Sequence, residues 1–378
     1  MSPHPKTIFM LAGEPSGDRL GADIMRALTS KFGKLRWCGM GGPDMQACGL
    51  NSSEDMSQLS IIGIGAALAS IIRLNKLADR LIAQIDSQRP DYIFTVDSKG
   101  FSVRFATRLR RYLANGTYQP RIIHVVAPTI WAWGAWRKRN FETAFDAMLC
   151  LFPFEPELFD TDKLALAYMG HPVGWHRQRP IPDSPVQIAL LPGSRASEIR
   201  HLLPLFLQAA QIVHTERPDI RFSLPILPHL AQMVADISAS FQALPLTIDS
   251  ASDAVEQVLS SSHIMLAGSG TVTLEAAVAG VPGVTAYHMP FFTRIISSFL
   301  FKPHTPILPD ILLGTSHYPF IFPPRLNADA LASALIDTLD DYSQRQTQMF
   351  DASDALRHLL AKKASYDDQL AFALDEIF

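Results

Sequence analysis

The sequence has no apolar run of about 18 residues, although 48% of its residues are hydrophobic, so no transmembrane helix is expected. The apolar run at residues 7–12 is too short and too quickly broken for a signal peptide and is typical of a first β-strand. The cysteines number only three and show no CxxC spacing. Free thiols of this kind fit a protein kept reduced in the cytosol.

The sequence also lacks an excess of either charge, with 33 basic and 36 acidic residues and a net charge of -3. This balance gives no reason to expect a nucleic-acid partner. The histidines show no H-E-x-x-H or other paired spacing, so no metal site is proposed, and no G-x-S-x-G or Cys/His signature appears. The turn at residues 13–18 lacks the G-x-G-x-x-G spacing of a dinucleotide site, and no cofactor is expected.

Short apolar strands alternate with helical patterns along most of the chain, which predicts parallel sheets covered on both faces. In such sheets ligands bind beyond the carboxyl ends of the strands. The predicted strands are Thr7–Ala12, Tyr92–Val96, Ile122–Val126, Ala147–Leu151, Leu164–Met169, Gln187–Leu191, Arg221–Leu224, Leu246–Ile248, Ile264–Ala267 and Val284–Tyr287. The predicted helices are Leu20–Leu28, Phe101–Leu113, Glu198–Val213, Asp329–Leu339 and Asp351–Phe378.

The length of 378 residues is long for one core and comfortable for two domains. A proline-rich stretch with little apolar pattern, residues 175–185, is predicted to be the linker. The fold class is therefore α/β, with two doubly wound Rossmann-like domains, 1–174 and 186–350, facing across a cleft. The last helix, 351–378, is expected to cross back onto the first domain.

Two turns in the second domain are candidates for holding a diphosphate. Residues 268–271 (Gly268, Ser269, Gly270, Thr271) follow an apolar strand and open a helix, where glycine lets backbone N–H groups approach an anion. Residues 193–195 (Gly193, Ser194, Arg195) follow the first strand of that domain, and arginine pairs bidentately with phosphates. Glu275, about one turn into its helix, could reach a ribose hydroxyl. The alternative is an ordinary β–loop–α connection.

A sugar nucleotide and an acceptor molecule would suit two such domains. Two turns in the first domain are candidates for binding the acceptor. Asp97 follows an apolar strand, where a carboxylate could take a proton from an attacking hydroxyl, although it could equally cap the next helix. The turn at residues 13–18 contains Glu14, Ser16 and Gly17 and a second carboxylate, Asp18. It could bind sugar hydroxyls or an acceptor phosphate. A turn with a capping aspartate is the alternative.

One segment departs from the alternation. Residues 61–72 contain no acidic or basic side chain, are too short to span a bilayer, and are followed by basic residues. A buried helix is one interpretation; the other is an apolar surface that dips into an anionic leaflet. The candidate lipid contacts are Ile61, Ile62, Ile64, Leu68, Ile71, Ile72 and Arg73.

Together these motifs resemble the lipid-A-disaccharide synthases, inverting glycosyltransferases of GT-B architecture. The matching stretches are AGEPSGDRLGA (residues 12–22), the strand end at Asp97, VVAPTIWAW (125–133), LFPFE (151–155), GHP (170–172), LLPGSRASEI (190–199) and GSGTVTLEAA (268–277). They occur in the family's order over most of the chain, and as a set they are highly specific.

The resemblance implies transfer of the sugar of UDP-2,3-diacylglucosamine to the 6-hydroxyl of 2,3-diacylglucosamine 1-phosphate, giving the β-1,6 disaccharide of lipid A and UDP. It implies catalysis without a metal, a peripheral position on the cytoplasmic face of the inner membrane, and a homodimer. Asp97 would be the general base and Glu14 a second catalytic or positioning carboxylate. The turns at 193–195 and 268–271 would hold UDP, with Glu275 on the ribose.

The chain departs from the family pattern at several positions, including the residues after GHP, where Val173-Gly174-Trp175 replaces a stretch in which an aspartate is common. Ser98-Lys99-Gly100 follows Asp97, where the family usually carries proline and then an acidic residue or glycine. Asp310 replaces the asparagine of an LPN-type stretch, and Phe322 lies where a Glu–Gln pair is common. These departures allow a divergent member with altered donor handling or a non-catalytic lipid- or nucleotide-binding relative. A different UDP-sugar enzyme, an epimerase or a murein-type transferase, is the remaining alternative.

Overall fold

The computed structural model describes residues 6–60, 67–131, 135–183, 186–251, 253–288 and 305–378. Its contacts divide the chain into two compact units, Met1–His171 with Ala361–Phe378, and Pro172–Leu360. Ile61, Ile62 and Ile64, predicted to contact lipid, lie outside the described residues. Within the described residues, no helix combines the length and the apolar character needed to cross a membrane.

In the part of the chain that the structure describes, the first unit is built on seven parallel strands in the order β3-β2-β1-β4-β5-β6-β7. These are β1 (Thr7–Ala12), β2 (Arg36–Met40), β3 (Asn51–Ser52), β4 (Tyr92–Val96), β5 (Arg121–Val125), β6 (Ala147–Cys150) and β7 (Ala165–Tyr168). The helices are α1 (Pro15–Phe32), α2 (Pro43–Ala47), α3 (Ser57–Ser60), α4 (Ala67–Gln88), α5 (Lys99–Leu113) and α6 (Lys138–Ala144). Every residue of β1 is buried, as expected for a strand covered on both faces.

Among its described residues, the second unit has six parallel strands in the order β10-β9-β8-β11-β12-β13. These are β8 (Gln187–Leu191), β9 (Arg221–Pro225), β10 (Leu246–Asp249), β11 (Ile264–Gly268), β12 (Gly283–Ala286) and β13 (Phe320–Ile321). The helices are α7 (Ala196–Glu216), α8 (Ala231–Ser238), α9 (Ala254–Ser261), α10 (Val272–Ala279), α11 (Leu308–Leu313), α12 (Ala328–Asp340) and α13 (Tyr342–Leu360). Two Rossmann-like sheets are thus present, as the alternation predicted.

Each sheet has one place where the strand order reverses. In the first, the chain runs outward from β1 to β3 and returns to β4 beside β1; in the second, it runs from β8 to β10 and returns to β11 beside β8. The turns after the two central strands diverge toward opposite sides of the sheet and leave a crevice at such a switch point. The switch points therefore lie between the ends of β1 and β4 and between the ends of β8 and β11.

The last predicted helix is wrong as a single element. Helix α13 ends at Leu360, and a further helix, α14 (Tyr366–Ile377), begins after Ser365, whose side chain accepts a hydrogen bond from the amide of Asp368 at 3.1 Å. Helix α14 packs on α1 and β7 of the first unit, and the ring of Phe378 lies 4.6 Å from that of Tyr92. The capping serine explains the break, because it starts a new helix.

The segment predicted as a linker is anchored in the second unit. Residues Pro172–Trp175 form a 3-10 turn, and Arg179 is only 6% exposed. The guanidinium of Arg179 donates to the carbonyl of His263 at 3.1 Å and to the side-chain oxygen of Gln346 at 3.2 Å. The linker was predicted from its proline content, which did not indicate that Arg179 would be buried.

Candidate active site

The turn after β4 holds its backbone in an uncommon conformation. Asp97 and Ser98 have φ of 49° and 44°, the left-handed region that few residues other than glycine adopt. The Asp97 amide donates to the Val125 carbonyl at 3.0 Å, and the Ser102 hydroxyl donates to the Asp97 carbonyl at 2.8 Å. Such strained backbone persists only where surrounding contacts enforce it and clusters at functional sites. This turn places the partly exposed Asp97 carboxylate at the side of the sheet where the carboxyl ends of the strands lie. We call this side the sheet edge, the first edge in the first unit and the second edge in the second unit.

The turn after β1 lies directly against the turn after β4. A Cβ built on Gly13 would come within 2.7 Å of the Ser98 hydroxyl, and one on Gly17 would lie 3.3 Å from the Val96 carbonyl. Glu14 occupies the N-cap position of α1 and is half-buried, whereas Ser16 is exposed. The structure therefore brings the Glu14 turn and Asp97 together at the first switch point.

Asp18 does not belong to this ligand-facing group. It is 2% exposed, and its carboxylate accepts hydrogen bonds from the amides of Gly42 at 2.7 Å, Asp44 at 2.9 Å and Met45 at 3.2 Å. These amides start α2, so Asp18 stabilises that helix from a distant part of the chain. For Asp18 the structure agrees with the alternative of a capping aspartate, although the helix that it caps is α2.

A polar cavity of about 520 Å³ lies at the same sheet edge, beyond the ends of β2 and β3. Its lining includes Gly41, Gly42, Ser52, Ser53 and Glu54. Sequence reasoning missed these residues because it did not identify β2 and β3. Their signal would have been the same as for Asp97: small or polar side chains immediately after a strand.

Lys99 lies beside Asp97, and two buried titratable groups, Glu155 and His124, interact electrostatically with Lys99. The ammonium of Lys99 lies 3.7 Å from Oδ1 of Asp97. Glu155 is 2% exposed and accepts from the amides of Leu151 and Phe152, each at 3.0 Å. Burial raises the pKa of Glu155 to about 7, against the opposing effects of these hydrogen bonds and of Lys99. Burial also lowers the pKa of His124 to about 3, so this imidazole is neutral.

The turn after β8 carries the predicted anion-binding residues, and a carboxylate already occupies it. Oε2 of Glu198 accepts from the amides of Ser194 at 3.1 Å and Arg195 at 3.2 Å. Nη1 of Arg195 lies 3.4 Å from Oε1 of the same carboxylate. Gly193 has φ of 126°, and a Cβ there would collide with Glu198. These N–H groups do bind an anion, but it is one the chain supplies.

The turn after β11 abuts the turn after β8. A Cβ on Gly268 would lie 3.0 Å from the Pro192 carbonyl, whereas one on Gly270 would meet nothing within 4 Å. The Ser269 amide donates to the Ala286 carbonyl at 2.8 Å, and the exposed Thr271 precedes α10. The two predicted anion-binding turns therefore meet at the second switch point, with open space over Gly270.

Helix α10 ends where the sequence predicted. Its C-cap is Gly280, with φ of 77°, and the amide of Val281 donates back to the carbonyl of Ala276 at 2.9 Å. Glu275 lies in the first turn of the helix and is half-buried. Its carboxylate is thus one helical turn beyond the glycine turn.

Asp310, the departure from the LPN pattern, is bound to its own loop. It is 3% exposed and accepts from the amide of His317 at 2.9 Å, with Nδ1 of that imidazole 3.6 Å from Oδ1. The Asp310 carboxylate beside the imidazole raises the pKa of His317, mainly by hydrogen bonding to the ring. Phe322 is 51% exposed, and its ring stacks 5.1 Å from that of Phe320.

The described end of the apolar segment is exposed. Ile71 and Ile72 are 41% and 50% exposed near the start of α4, and Arg73 follows them. The backbone of Leu68 belongs to the same helix. A buried helix was one interpretation of this segment, and these two side chains do not fit it.

Three carboxylates near the strand ends, those of Asp18, Glu155 and Glu198, are bound to backbone amides. Within the described residues, no group of three or more His, Cys, Asp or Glu side chains is arranged to hold a metal ion. Asp18, Glu155 and Glu198 each accept hydrogen bonds from at least two amides.

Comparison with known proteins decides the family. The family model described as lipid-A-disaccharide synthetase matches residues 8–374. The chain belongs to the lipid-A-disaccharide synthase family. The synthase of Rhodospirillum centenum is 33% identical over 367 residues, covering 94% of this chain and 90% of its own. Membership makes the chain a hexosyltransferase of lipid A biosynthesis.

Solved structures show the GT-B fold. The UDP-GlcNAc 2-epimerase of Neisseria meningitidis aligns with a TM-score of 0.61 at 12% identity, over 95% of this chain and 100% of its own. MurG of Acinetobacter baumannii aligns with a TM-score of 0.56 at 14% identity, over 98% and 100%. At these identities the likeness concerns the fold, so the epimerase and murein-type alternatives are not favoured over the family match.

Proposed function

We propose that the chain transfers the diacylglucosamine of UDP-2,3-diacylglucosamine to the 6-hydroxyl of 2,3-diacylglucosamine 1-phosphate. The products are the β-1,6 lipid A disaccharide 1-phosphate and UDP. The observation that carries this proposal is topological. Both sets of residues selected from the sequence lie at the switch point of their own sheet, where ligands bind in doubly wound folds.

The first switch point is assigned to the acceptor. Asp97 takes the proton of the 6-hydroxyl as O6 forms its bond to the anomeric carbon of the donor. The strained turn and the two hydrogen bonds to the Asp97 backbone support this role, because they fix the backbone from which the side chain projects. Glu14 positions the acceptor from the adjacent turn, with contacts from Ser16 and Gly17.

The second switch point is assigned to UDP. As the bond from the anomeric carbon to the β-phosphate oxygen breaks, its electron pair stays on UDP. Arg195 and the amides of the turns at 193–195 and 268–271 stabilise the charge on that leaving group. Attack from the opposite face inverts the anomeric configuration, and the open space over Gly270 supports a close approach of the diphosphate. Glu275 binds the ribose.

Two acyl-bearing substrates require an apolar surface near a bilayer. We assign this role to the segment from Ile61 to Arg73, on the cytoplasmic face of the inner membrane, in a homodimer. The exposure of Ile71 and Ile72 beside the basic Arg73 supports the assignment, since apolar side chains with a basic collar suit an anionic leaflet.

A transfer assay tests the reaction. Purified protein is given radiolabelled UDP-2,3-diacylglucosamine with the acylated acceptor, with glucosamine 1-phosphate, or with no acceptor. We expect a labelled disaccharide and UDP with the acylated acceptor. Conversion of the donor sugar without an acceptor would favour an epimerase instead, and UDP binding without any product would favour a non-catalytic relative. Growth of a conditional strain lacking the synthase gives a second readout, because it requires turnover.

The membrane contact has its own test. Replacing Ile71 and Ile72 with serine removes exposed apolar surface without touching either switch point, so we expect weaker sedimentation with anionic vesicles. Folding, measured by thermal unfolding, should be unchanged. Ile248→Ser is the matched control, because that isoleucine is 42% exposed on the second unit. Equal vesicle binding by all three proteins would contradict the assignment.

A further inference from the structure

Lys99 and Asp97 form a pair of opposite charges at the end of β4. Nζ of Lys99 lies 3.7 Å from Oδ1 of Asp97, and their side chains are 26% and 28% exposed. This distance is longer than a hydrogen bond. The contact therefore does not saturate the three N–H donors of the ammonium, and a ligand at the sheet edge can reach both groups.

The position of Lys99 in its helix is unfavourable without an anion. It is the first residue of α5, and the first turn contains no acidic residue. The N-terminus of a helix carries partial positive charge, so a cation there is destabilising and an anion is stabilising. The next residue, Gly100, is exposed, and a Cβ on it would meet nothing within 4 Å. There is thus room beside Lys99 for an anionic group.

The other titratable groups at this edge are a reason why binding of an anionic ligand requires a cation. Besides Asp97, the described groups that interact with Lys99 include the buried carboxyl of Glu155 and the neutral imidazole of His124. A dianionic ligand placed beside Lys99 would be repelled by the Asp97 carboxylate, and the Lys99 ammonium offsets that repulsion.

We propose that Lys99 binds the anomeric phosphate of the acceptor while Asp97 takes the proton of the 6-hydroxyl. This inference rests on the proposed function. In glucosamine 1-phosphate, the carbon that bears the phosphate and the carbon that bears the hydroxymethyl group are both bonded to the ring oxygen. The two groups therefore stand on one edge of the sugar, as base and cation stand side by side on the protein. Lys99 is a specificity-determining residue, which selects phosphorylated acceptors.

The test compares two acceptors that differ only in the anomeric phosphate. Lys99→Met, Lys99→Arg and the surface control Lys34→Met are assayed with 2,3-diacylglucosamine 1-phosphate and with 2,3-diacylglucosamine. For Lys99→Met we expect KM of the phosphorylated acceptor to rise about 10- to 100-fold, the effect of losing a hydrogen bond between charged groups. KM of the phosphate-free acceptor and the Kd of UDP should be unchanged. Lys99→Arg should recover most of the loss, and Lys34→Met should behave as wild type.

An equal loss on both acceptors would overturn the proposal, because Lys99 would then act on Asp97 or on the fold. A binding measurement keeps this result separate from failure of the proposed reaction. Saturation-transfer NMR with glucosamine 1-phosphate and glucosamine reports the phosphate contact without turnover. If wild type makes no disaccharide but discriminates these two ligands and Lys99→Met does not, the reaction fails and the Lys99 contact stands. Absence of that discrimination in wild type would contradict the contact itself.

Discussion

The two switch points share one topology and present opposite chemistry. At the first, charged side chains surround the strand ends: Asp97, Lys99 and the buried Glu155. At the second, glycine turns present backbone N–H groups, and the nearest carboxylate is bound to two of them. A fold therefore supplies the place and the side chains supply the chemistry. The first edge suits proton transfer and the second suits holding a leaving group.

The largest expected effect tests whether Asp97, at the first edge, takes the proton. If it does not, the assignment of proton transfer to this edge is wrong. Asp97→Asn keeps the size of the side chain but cannot accept the proton, so turnover should fall about 100- to 10,000-fold. The Kd of UDP, measured by calorimetry, should be unchanged because UDP is assigned to the other edge. Asp79→Asn is the control, since Asp79 is a surface partner of Arg108 with 52% of its side chain exposed. Near-normal turnover by Asp97→Asn would remove the base assignment.

The glycine turn of the second edge gives the next largest effect. A methyl group on Gly270 meets no protein atom, so Gly270→Ala should leave the unfolding temperature unchanged. It would enter the space assigned to the diphosphate, and UDP affinity should fall about tenfold, or about 1.4 kcal/mol.

Gly100→Ala provides a matched control for this substitution. Gly100 has the same open surroundings at the other edge, so its alanine variant should bind UDP as wild type does. Unchanged UDP affinity in Gly270→Ala would mean that the diphosphate lies elsewhere.

Several elements of this comparison could be predicted from the sequence alone. The strands Thr7–Ala12, Tyr92–Val96 and Gln187–Leu191 were predicted with the bounds observed, because short apolar runs ending in polar turns mark buried parallel strands. Those ends led to Asp97 and to the glycine turns. Strand β2 was missed, because Arg36 and Gly39 interrupt its apolar pattern. Helix α4 was missed because it begins within the uncharged, apolar residues 61–72 and continues as an amphipathic pattern to Gln88.

What sequence reasoning could not supply were partners brought together by the fold. Asp18 meets the amide of Gly42 only because β1 and β2 are neighbours. Glu155 is buried in the folded chain, and burial is the main cause of its raised pKa. Glu198 was closer to prediction, since a glutamate three residues after an N-cap is the pattern of a capping box. An arginine in the N-cap position concealed it.

The carboxylate of Glu198 is expected to weaken UDP binding at the second edge. Its carboxylate occupies amides assigned to the diphosphate and adds a like charge, so Glu198→Gln should tighten UDP binding about three- to tenfold. The unfolding temperature should fall slightly, because the neutral side chain interacts less favourably with the N-terminus of α7. Glu216→Gln, at the exposed far end of that helix, should leave UDP affinity unchanged. Weaker UDP binding by Glu198→Gln would show that its charge supports the site.

The smallest effect is the pH dependence of stability that Glu155 contributes at the first edge. The pKa of Glu155 is raised to about 7 by burial, above the value of about 4.3 for an unfolded chain. Between these values the native state binds more protons than the unfolded state. Stability from this group is therefore complete below about pH 4 and is lost as pH rises to about 7.

Glu155→Gln keeps an oxygen that accepts from the amides of Leu151 and Phe152 but cannot ionise. Its free energy of unfolding, from urea titrations between about pH 4.5 and 7.5, should decline less with pH than that of wild type. Glu157→Gln, at an exposed position two residues away, is the matched control and should follow the wild-type curve. Parallel curves for wild type and Glu155→Gln would mean that this carboxyl is already ionised at pH 5. The Lys99 charge, together with the two amides, would then outweigh burial at the first edge.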